Sequence, residues 1–333
     1  MEESSTRALL QFRAKVCTSI RSFFETRGYL EVDTPVALLA PPPETHIDPI
    51  SCFFETPRDR EQRFLQTSPE LPMKRLIATG SGPIFQLASV FRDNDESQVH
   101  RPEFRLLEWY NGPAQWTEML DETEALLRHC ARELRGEETL EFGGRQIDIS
   151  AQFPRISVAN ACRDIVELPI LECLERDTLV SEFKRRLWHY SEDDSWDELF
   201  HRIWVGMVEP ELNQQHERYF ITEYPVPLAA LSRPTTRDPR VAERAECVVA
   251  GLELTNGFGE LSDPDEQQAR FEADLRARRQ AGKTTAPLDH VFLKQVEHLE
   301  EIYGNALGID RLMMLLRGVS DIGEISPFEH GTI

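Results

Sequence analysis

The chain has 333 residues, 40% of them apolar, and 58 acidic against 37 basic side chains give a formal charge of −21. That composition supports a large core, while no window approaches the run of roughly 20 apolar residues that a membrane span requires. The charge opposes non-specific binding to nucleic acid, whose affinity comes mainly from Lys and Arg neutralising phosphates, so tRNA or any other RNA would need a local basic patch.

The first residues, "MEESSTRALL", lack a basic segment followed by an apolar one, so a cytoplasmic protein is expected. Leu9, Phe12, Val16, Ile20 and Phe23 then recur at spacings of three and four, which predicts an amphipathic helix over 6–28 with Ser4 or Ser5 as cap and Gly28 as stop. "YLEVDTPV" favours a strand ending at Pro35, and "LLAPPPETHIDPI" is a proline-rich loop. "GPIFQLASVFR" and "EFRLLEWY" read as the strands of a long hairpin, the second with Phe104, Leu106, Glu108 and Tyr110 on one face. A helical pattern runs from Thr117 to about Gly136, and "LEFGGRQIDI" is a tight hairpin on Gly143–Gly144.

Residues 157–218 are mostly helical and rich in Glu, Arg and Trp, which suggests an insertion within one domain covering 1–333. Strands return over 219–261. Helical stretches near 264–281 and 289–302 precede "YGNALGIDRLMMLL", a glycine-containing strand feeding a helix. Strands in hairpins and helices in blocks predict an α+β fold, a mixed and mostly antiparallel sheet flanked by helices. The chain has neither a GxxxxGK[ST] phosphate loop nor a GxGxxG after a first strand, which disfavours the two common nucleotide folds. Six scattered cysteines without CxxC spacing read as reduced thiols, with Cys17, Cys130 and Cys247 in apolar-patterned segments.

Two arginines stand at element edges, Arg92 after a strand and Arg311 opening a helix. A pair so placed suits a polyphosphate, because guanidinium offers phosphate a planar fork of donors and stays charged. Glu246 and Glu253 lie seven apart across Gly251, a spacing that a strand–turn–strand can fold into converging carboxylates, which magnesium with substrate phosphates would reconcile. Glu260 is a third acid beyond the "NGFG" bend. Taken singly, these are equally surface charges of an acidic protein.

Together the segments resemble a family. "RGYLEVDTPV", "FRDND…HRPEFRLLEWY" and "NALGIDRLMMLL" are similar, in order and place, to the three signature motifs of class II aminoacyl-tRNA synthetases, and "TSPELPMKRL" with "GLELTNGFGEL" narrows this to the lysyl branch. Lysyl-tRNA synthetases carry an OB-fold anticodon-binding domain before motif 1, for which this sequence leaves no room. The resemblance is therefore closer to the truncated paralogues that join (R)-β-lysine to a lysine of elongation factor P. Ser68 and Ala306, where the synthetases usually carry Ala and Gly, agree.

The resemblance implies adenylate chemistry with ATP and Mg2+, in which Arg92 and Arg311 are the catalytic phosphate clamps. Asn94, Arg101, Glu253, Leu254 and Gly308 would be further ATP contacts, and Glu246 and Glu253 magnesium ligands. Ser68, Glu70, Glu108, Tyr110, Glu260 and Ala306 would hold lysine or β-lysine. It also implies a homodimer, for which the apolar stripe of the motif-1 helix would supply a surface.

The chain departs from the family at Asn94 and Arg101, which replace the Glu of "FRNE" and the Asn of "HNPEF", and Gly259 and "YPVPLAALSR" are closer to the synthetases. Aminoacylation of tRNA, or a non-catalytic sensor, are the alternatives that amino-acid-dependent pyrophosphate exchange would separate.

Overall fold

The helix Glu3–Glu25 opens the part of the chain described by a computed structural model, which covers residues 3–55, 57 and 59–328. These residues fall into two units, one made of the residues up to Ser150 with those from Ser262 onward, the other of Ala151–Leu261.

In the first unit, the apolar stripe of the N-terminal helix turns inward. Leu9, Val16, Ile20 and Phe23 are buried within the chain's own core, and Phe24 stacks on Phe85 with ring centroids 4.9 Å apart. Four of the five stripe residues are thus covered within the chain, and Phe12 is half-buried. Ser4 and Ser5 lie inside the first turn rather than ahead of it, so neither is the expected cap. The chain leaves through Gly28, whose φ of 82° favours a residue without Cβ.

Only Leu30–Glu31 of the predicted first strand is extended, pairing parallel with Ile84–Phe85. The hairpin is as expected: Ile84–Phe91 pairs antiparallel with Glu103–Asn111, which pairs in turn with Tyr303–Gly308. The registers set Gln86, Glu108 and Ala306 side by side on one face. Tyr303–Gly308 runs straight into the helix Ile309–Arg317, anchored where Asp310 accepts the Arg105 backbone N–H at 2.7 Å and meets Arg13 at 3.3 Å.

Other parts of this unit frame that layer. The proline-rich loop is held by buried Arg278, whose guanidinium donates to the carbonyls of Glu44 and Ile47 and to Asp48. A small sheet of Ala37–Leu38, Arg60–Leu65 and Ser51–Glu55 flanks the loop and was not foreseen. The helix Glu118–Arg135 stops at Gly136, and Gly143 and Gly144, at φ 55° and 76°, make the tight hairpin turn. The helical stretch near 289–302 is reduced to His290–Leu293 and a 3₁₀ turn, Val296–Leu299.

The second unit packs the helices Val158–Val166, Arg176–Arg186, Trp196–Ile203 and Glu209–Gln215 with the strands Arg155–Ser157, Arg218–Pro225, Val241–Val249 and Leu252–Gly259. Neighbouring strands here are antiparallel except Arg155–Ser157, which runs parallel to Arg218–Pro225. Trp196, Phe200 and Trp204, four residues apart, form a continuous ring stack with centroids 5.5 and 5.6 Å apart, and a π-helical segment, Trp204–Val208, continues their helix. The architecture is α+β, with mixed and mostly antiparallel strands flanked by helices.

Candidate active site

In the first unit, Glu108 is the centre of a buried polar cluster. The period of the motif-2 strand puts it on one face with Phe104, Leu106 and Tyr110, and the Tyr110 hydroxyl donates to it at 3.1 Å. The start of the helix Glu70–Ala78 faces it: the Ser68 hydroxyl hydrogen-bonds Glu108 and also accepts the Glu70 backbone N–H at 3.2 Å. Burial first, and then the charge of Glu70, push the Glu108 carboxyl well above the usual carboxylate range, against the opposing pull of Tyr110, Lys74 and Ser68. Ala306 sits in register beside Glu108, so its methyl narrows the floor next to the carboxylate. Four of the predicted amino-acid contacts, Ser68, Glu70, Glu108 and Tyr110, are thus one cluster, with Ala306 at its edge.

Lys74 was not foreseen. It is 1% exposed, and its Nζ lies 2.6 Å from Glu70 Oε1. An acid and a lysine four apart on a helix read in a sequence as an exposed surface pair.

The arginines are held differently. The Arg92 guanidinium lies 5.0 Å over the Phe104 ring, on the Glu108 face, and its buried Nε has no hydrogen-bond partner among the described residues. Arg311 contacts His100 Nε2, and His100 Nδ1 is 2.6 Å from Ser97 Oγ. Because guanidinium only donates, Nε2 must accept and Nδ1 carry the proton. Burial, and then the Arg311 charge, hold this imidazole below its ordinary value, which keeps it neutral and able to accept. The sequence signal for His100 was its place in "HRPEF".

The atoms nearest to a Cβ built on Gly308 belong to the Arg311 side chain, at 3.7 Å or more, so a ligand can approach the backbone there closely. Asn94 has left-handed backbone, φ 58°, which Asn tolerates better than Glu. Arg101 lies against the 3₁₀ turn Ile322–Ile325, with Nη2 3.2 Å from where Gly323 would carry a Cβ.

In the second unit, Glu246 and Asn256 are cross-strand partners. Glu253 is three residues before Asn256 and in a regular strand would point to the other face. A β-bulge corrects this: Cys247 pairs with Thr255 but Val248 with Glu253, leaving Leu254 as the extra residue, so Glu253 returns to the Glu246 side. Glu246 Oε1 accepts from Arg244 at 2.7 Å and from Asn256 at 3.2 Å, and the Arg244 guanidinium lies 4.4 Å over the Tyr224 ring.

Among the described residues no group of three or more His, Cys, Asp or Glu is arranged to hold a metal ion. Glu246 and Glu253, on one face of this hairpin, are the carboxylates that would hold a magnesium ion completed by substrate phosphates. Glu260 is 1% exposed, and its backbone is gripped by Leu231–Arg233: Arg233 N–H donates to Gly259 O at 2.8 Å and Leu261 N–H to Leu231 O at 3.0 Å.

Comparison with known proteins agrees with these motifs. Residues 1–331 match the family model for class II tRNA synthetases (D, K and N). An elongation factor P–(R)-β-lysine ligase of Histophilus somni is 36% identical over 95% of this chain and 93% of its own length. Another, from Edwardsiella ictaluri, is 35% identical over 98% of this chain and 96% of its own. A lysine–tRNA ligase of Dehalococcoides mccartyi is 32% identical over 95% of this chain, which corresponds to 63% of that enzyme.

Proposed function

The chain belongs to the class II tRNA synthetase family, and from that premise we propose that it is an ATP-dependent ligase which activates (R)-β-lysine, or lysine, and transfers it to a lysine side chain of elongation factor P. The observation that carries the substrate class is the buried cluster of Glu70 and Glu108 with Ser68 and Tyr110. Carboxylates taken out of water repel one another, and an entering ammonium group relieves the cost. Ala306 beside Glu108 favours the isomer with the displaced amine by an amount of the methylene kind, ~1–3 kcal/mol. The acceptor is supported by relatives named for it that match over nearly their whole length.

The amino-acid carboxylate attacks the α-phosphorus of ATP in line, pyrophosphate leaves, and a mixed anhydride with AMP remains. Arg92 and Arg311 hold phosphate oxygens, and neutral His100 keeps the Arg311 fork oriented. Magnesium, held by Glu246 and Glu253 together with the phosphates, would neutralise charge on the transferring group. An acceptor lysine amine then attacks the carbonyl carbon, AMP departs, and an amide forms with loss of the amine proton.

A homodimer and a cytoplasmic setting belong to the same reading. The dimer is supported by exposed Leu10, Leu30, Val36 and Leu39 around motif 1 rather than by the buried stripe. Among the described residues no helix is long and apolar enough to cross a membrane.

The test is to incubate the protein with ATP, magnesium and each lysine isomer, following pyrophosphate exchange, and then to weigh added elongation factor P. Exchange with a lysine isomer and a mass gain of a single lysyl residue are expected. Charging of tRNA without a mass gain would make it a tRNA ligase. The absence of exchange with every isomer would make it a sensor.

A further inference from the structure

The strand Val241–Val249 carries Arg244 and Glu246 two residues apart, hence on one face, and Asn256 stands across from Glu246 on the strand Leu252–Gly259. The three side chains close a ring of hydrogen bonds. Arg244 Nη2 donates to Glu246 Oε1 at 2.7 Å, Arg244 Nε to Asn256 Oδ1 at 3.3 Å, and Asn256 Nδ2 to Glu246 Oε1 at 3.2 Å. A guanidinium only donates and a carboxylate only accepts, so the amide between them can face just one way. The Tyr224 side chain hydrogen-bonds the same carboxylate.

Arg244 also has anchors that owe nothing to Glu246. Its Nη1 donates to the Leu228 carbonyl at 2.7 Å, at the end of the 3₁₀ turn Val226–Leu228, and its guanidinium lies 4.4 Å from the centre of the Tyr224 ring and 5.8 Å from that of Phe258. Both partners of the ion pair are largely buried, with side chains 17% and 16% exposed. The arginine therefore sets the orientation of the pair, and the glutamate follows. A loose glutamate samples many rotamers, and ordering it before a ligand arrives removes that cost from binding. Carboxylates that hold a metal are as a rule oriented in this way by hydrogen bonds from their neighbours.

We propose that Arg244 is a positioning residue of the nucleotide site: anchored by the Leu228 carbonyl and the Tyr224 ring, it holds Glu246 in the orientation that takes the magnesium ion of the nucleotide. This rests on the ligase reading, and within it on Glu246 as a magnesium ligand. A role in charge balance alone has the opposite signature. The charges of Glu209 and Glu253 act on Glu246 and on Arg244 respectively. If Arg244 only offset repulsion among these acids, removing its charge would leave a more negative site that draws a divalent cation more strongly. If it orients Glu246, its removal frees the carboxylate and weakens the metal, and lysine, a point charge without the fork, does not restore it.

Titration calorimetry of the full chain with the non-hydrolysable analogue adenylyl imidodiphosphate, without amino acid, reads this in the unmodified protein, in Arg244→Met and in Arg244→Lys. The quantity is the ratio of Kd in EDTA to Kd in magnesium, which isolates the part of nucleotide affinity that depends on the metal. The ratio should fall in both variants, of order 10- to 100-fold, while Kd in EDTA changes little. A ratio that rises in Arg244→Met while Arg244→Lys matches the unmodified protein overturns the proposal in favour of charge balance. An unchanged ratio in both overturns it in favour of a purely structural ion pair. If Arg244→Met does not fold, Arg244→Lys decides alone, because it keeps the charge and loses only the fork. A ratio near one in the unmodified protein overturns Glu246 as a magnesium ligand and this proposal with it. Pyrophosphate exchange by the unmodified protein tests the ligase reading separately, so exchange alongside unchanged ratios overturns this proposal alone.

Discussion

Arg311 and Glu260 are charged residues with opposite expected failures. Arg311 meets neutral His100, a partner that can orient the guanidinium without neutralising it. Glu260 is buried just beyond the strand Leu252–Gly259, where its neighbours Gly259 and Leu261 are hydrogen-bonded to Arg233 and Leu231. Arg311→Ala should depress use of ATP whichever lysine isomer is offered, and Glu260→Gln should weaken the amino acid while leaving ATP nearly unaffected. A charge-assisted hydrogen bond contributes ~1.5–3 kcal/mol, so each loss is of order 10- to 100-fold. Exchange kinetics with each substrate varied in turn separate the two patterns, and an unchanged lysine dependence in Glu260→Gln would make that acid structural. At this scale the period of two made readable that Glu108 and Tyr110 share a strand face, where the Tyr110 hydroxyl donates to Glu108. The sequence was silent on Lys74, because the spacing of an i,i+4 pair is the same whether the pair is exposed or buried.

Elements show where periodicity suffices. The motif-1 helix was legible from its apolar spacing, but periodicity identifies an apolar face without saying what covers it. Here Ile20 and its neighbours pack on the chain's own strands and the helix Glu118–Arg135, so Ile20→Ala should leave a cavity and cost about 2–5 kcal/mol. Urea unfolding would register this as a lower midpoint with unchanged subunit mass by light scattering. A loss of mass at unchanged stability would instead return the stripe to a subunit interface.

The motif-2 hairpin and the strand–helix of motif 3 were equally legible, their alternation and glycines being local signals. The hairpin Ser51–Glu55 and Arg60–Leu65 was not, since Phe53 and Phe54 are both exposed and the flanking charges break any alternation. The bulge at Leu254 was also hidden: the spacing of Glu246 and Glu253 suggested convergence, but the two share a face through an extra residue that only the pairing reveals. The π-helical turn after Trp204 has no signature in a sequence at all.

For the whole molecule, a charge of −21 acts differently on the two half-reactions. Activation joins an anionic nucleotide, whose arrival the negative field slows, and a cationic amino acid, whose arrival it favours, so the two effects of salt oppose each other. Transfer requires a lysine ammonium on another protein to approach an acidic surface, an encounter that a negative field accelerates and salt screens, with a Debye length of about 8 Å at physiological ionic strength. Raising salt from low to physiological concentration should therefore lower kcat/KM for transfer to elongation factor P more steeply than kcat/KM for pyrophosphate exchange. The same field repels a tRNA, so added tRNA should compete poorly with the protein acceptor, and less poorly as salt rises. If transfer instead improves with salt while exchange stays flat, repulsion between acidic surfaces governs the encounter. The acceptor would then be recognised by contacts around its lysine rather than drawn in by the charge of the ligase.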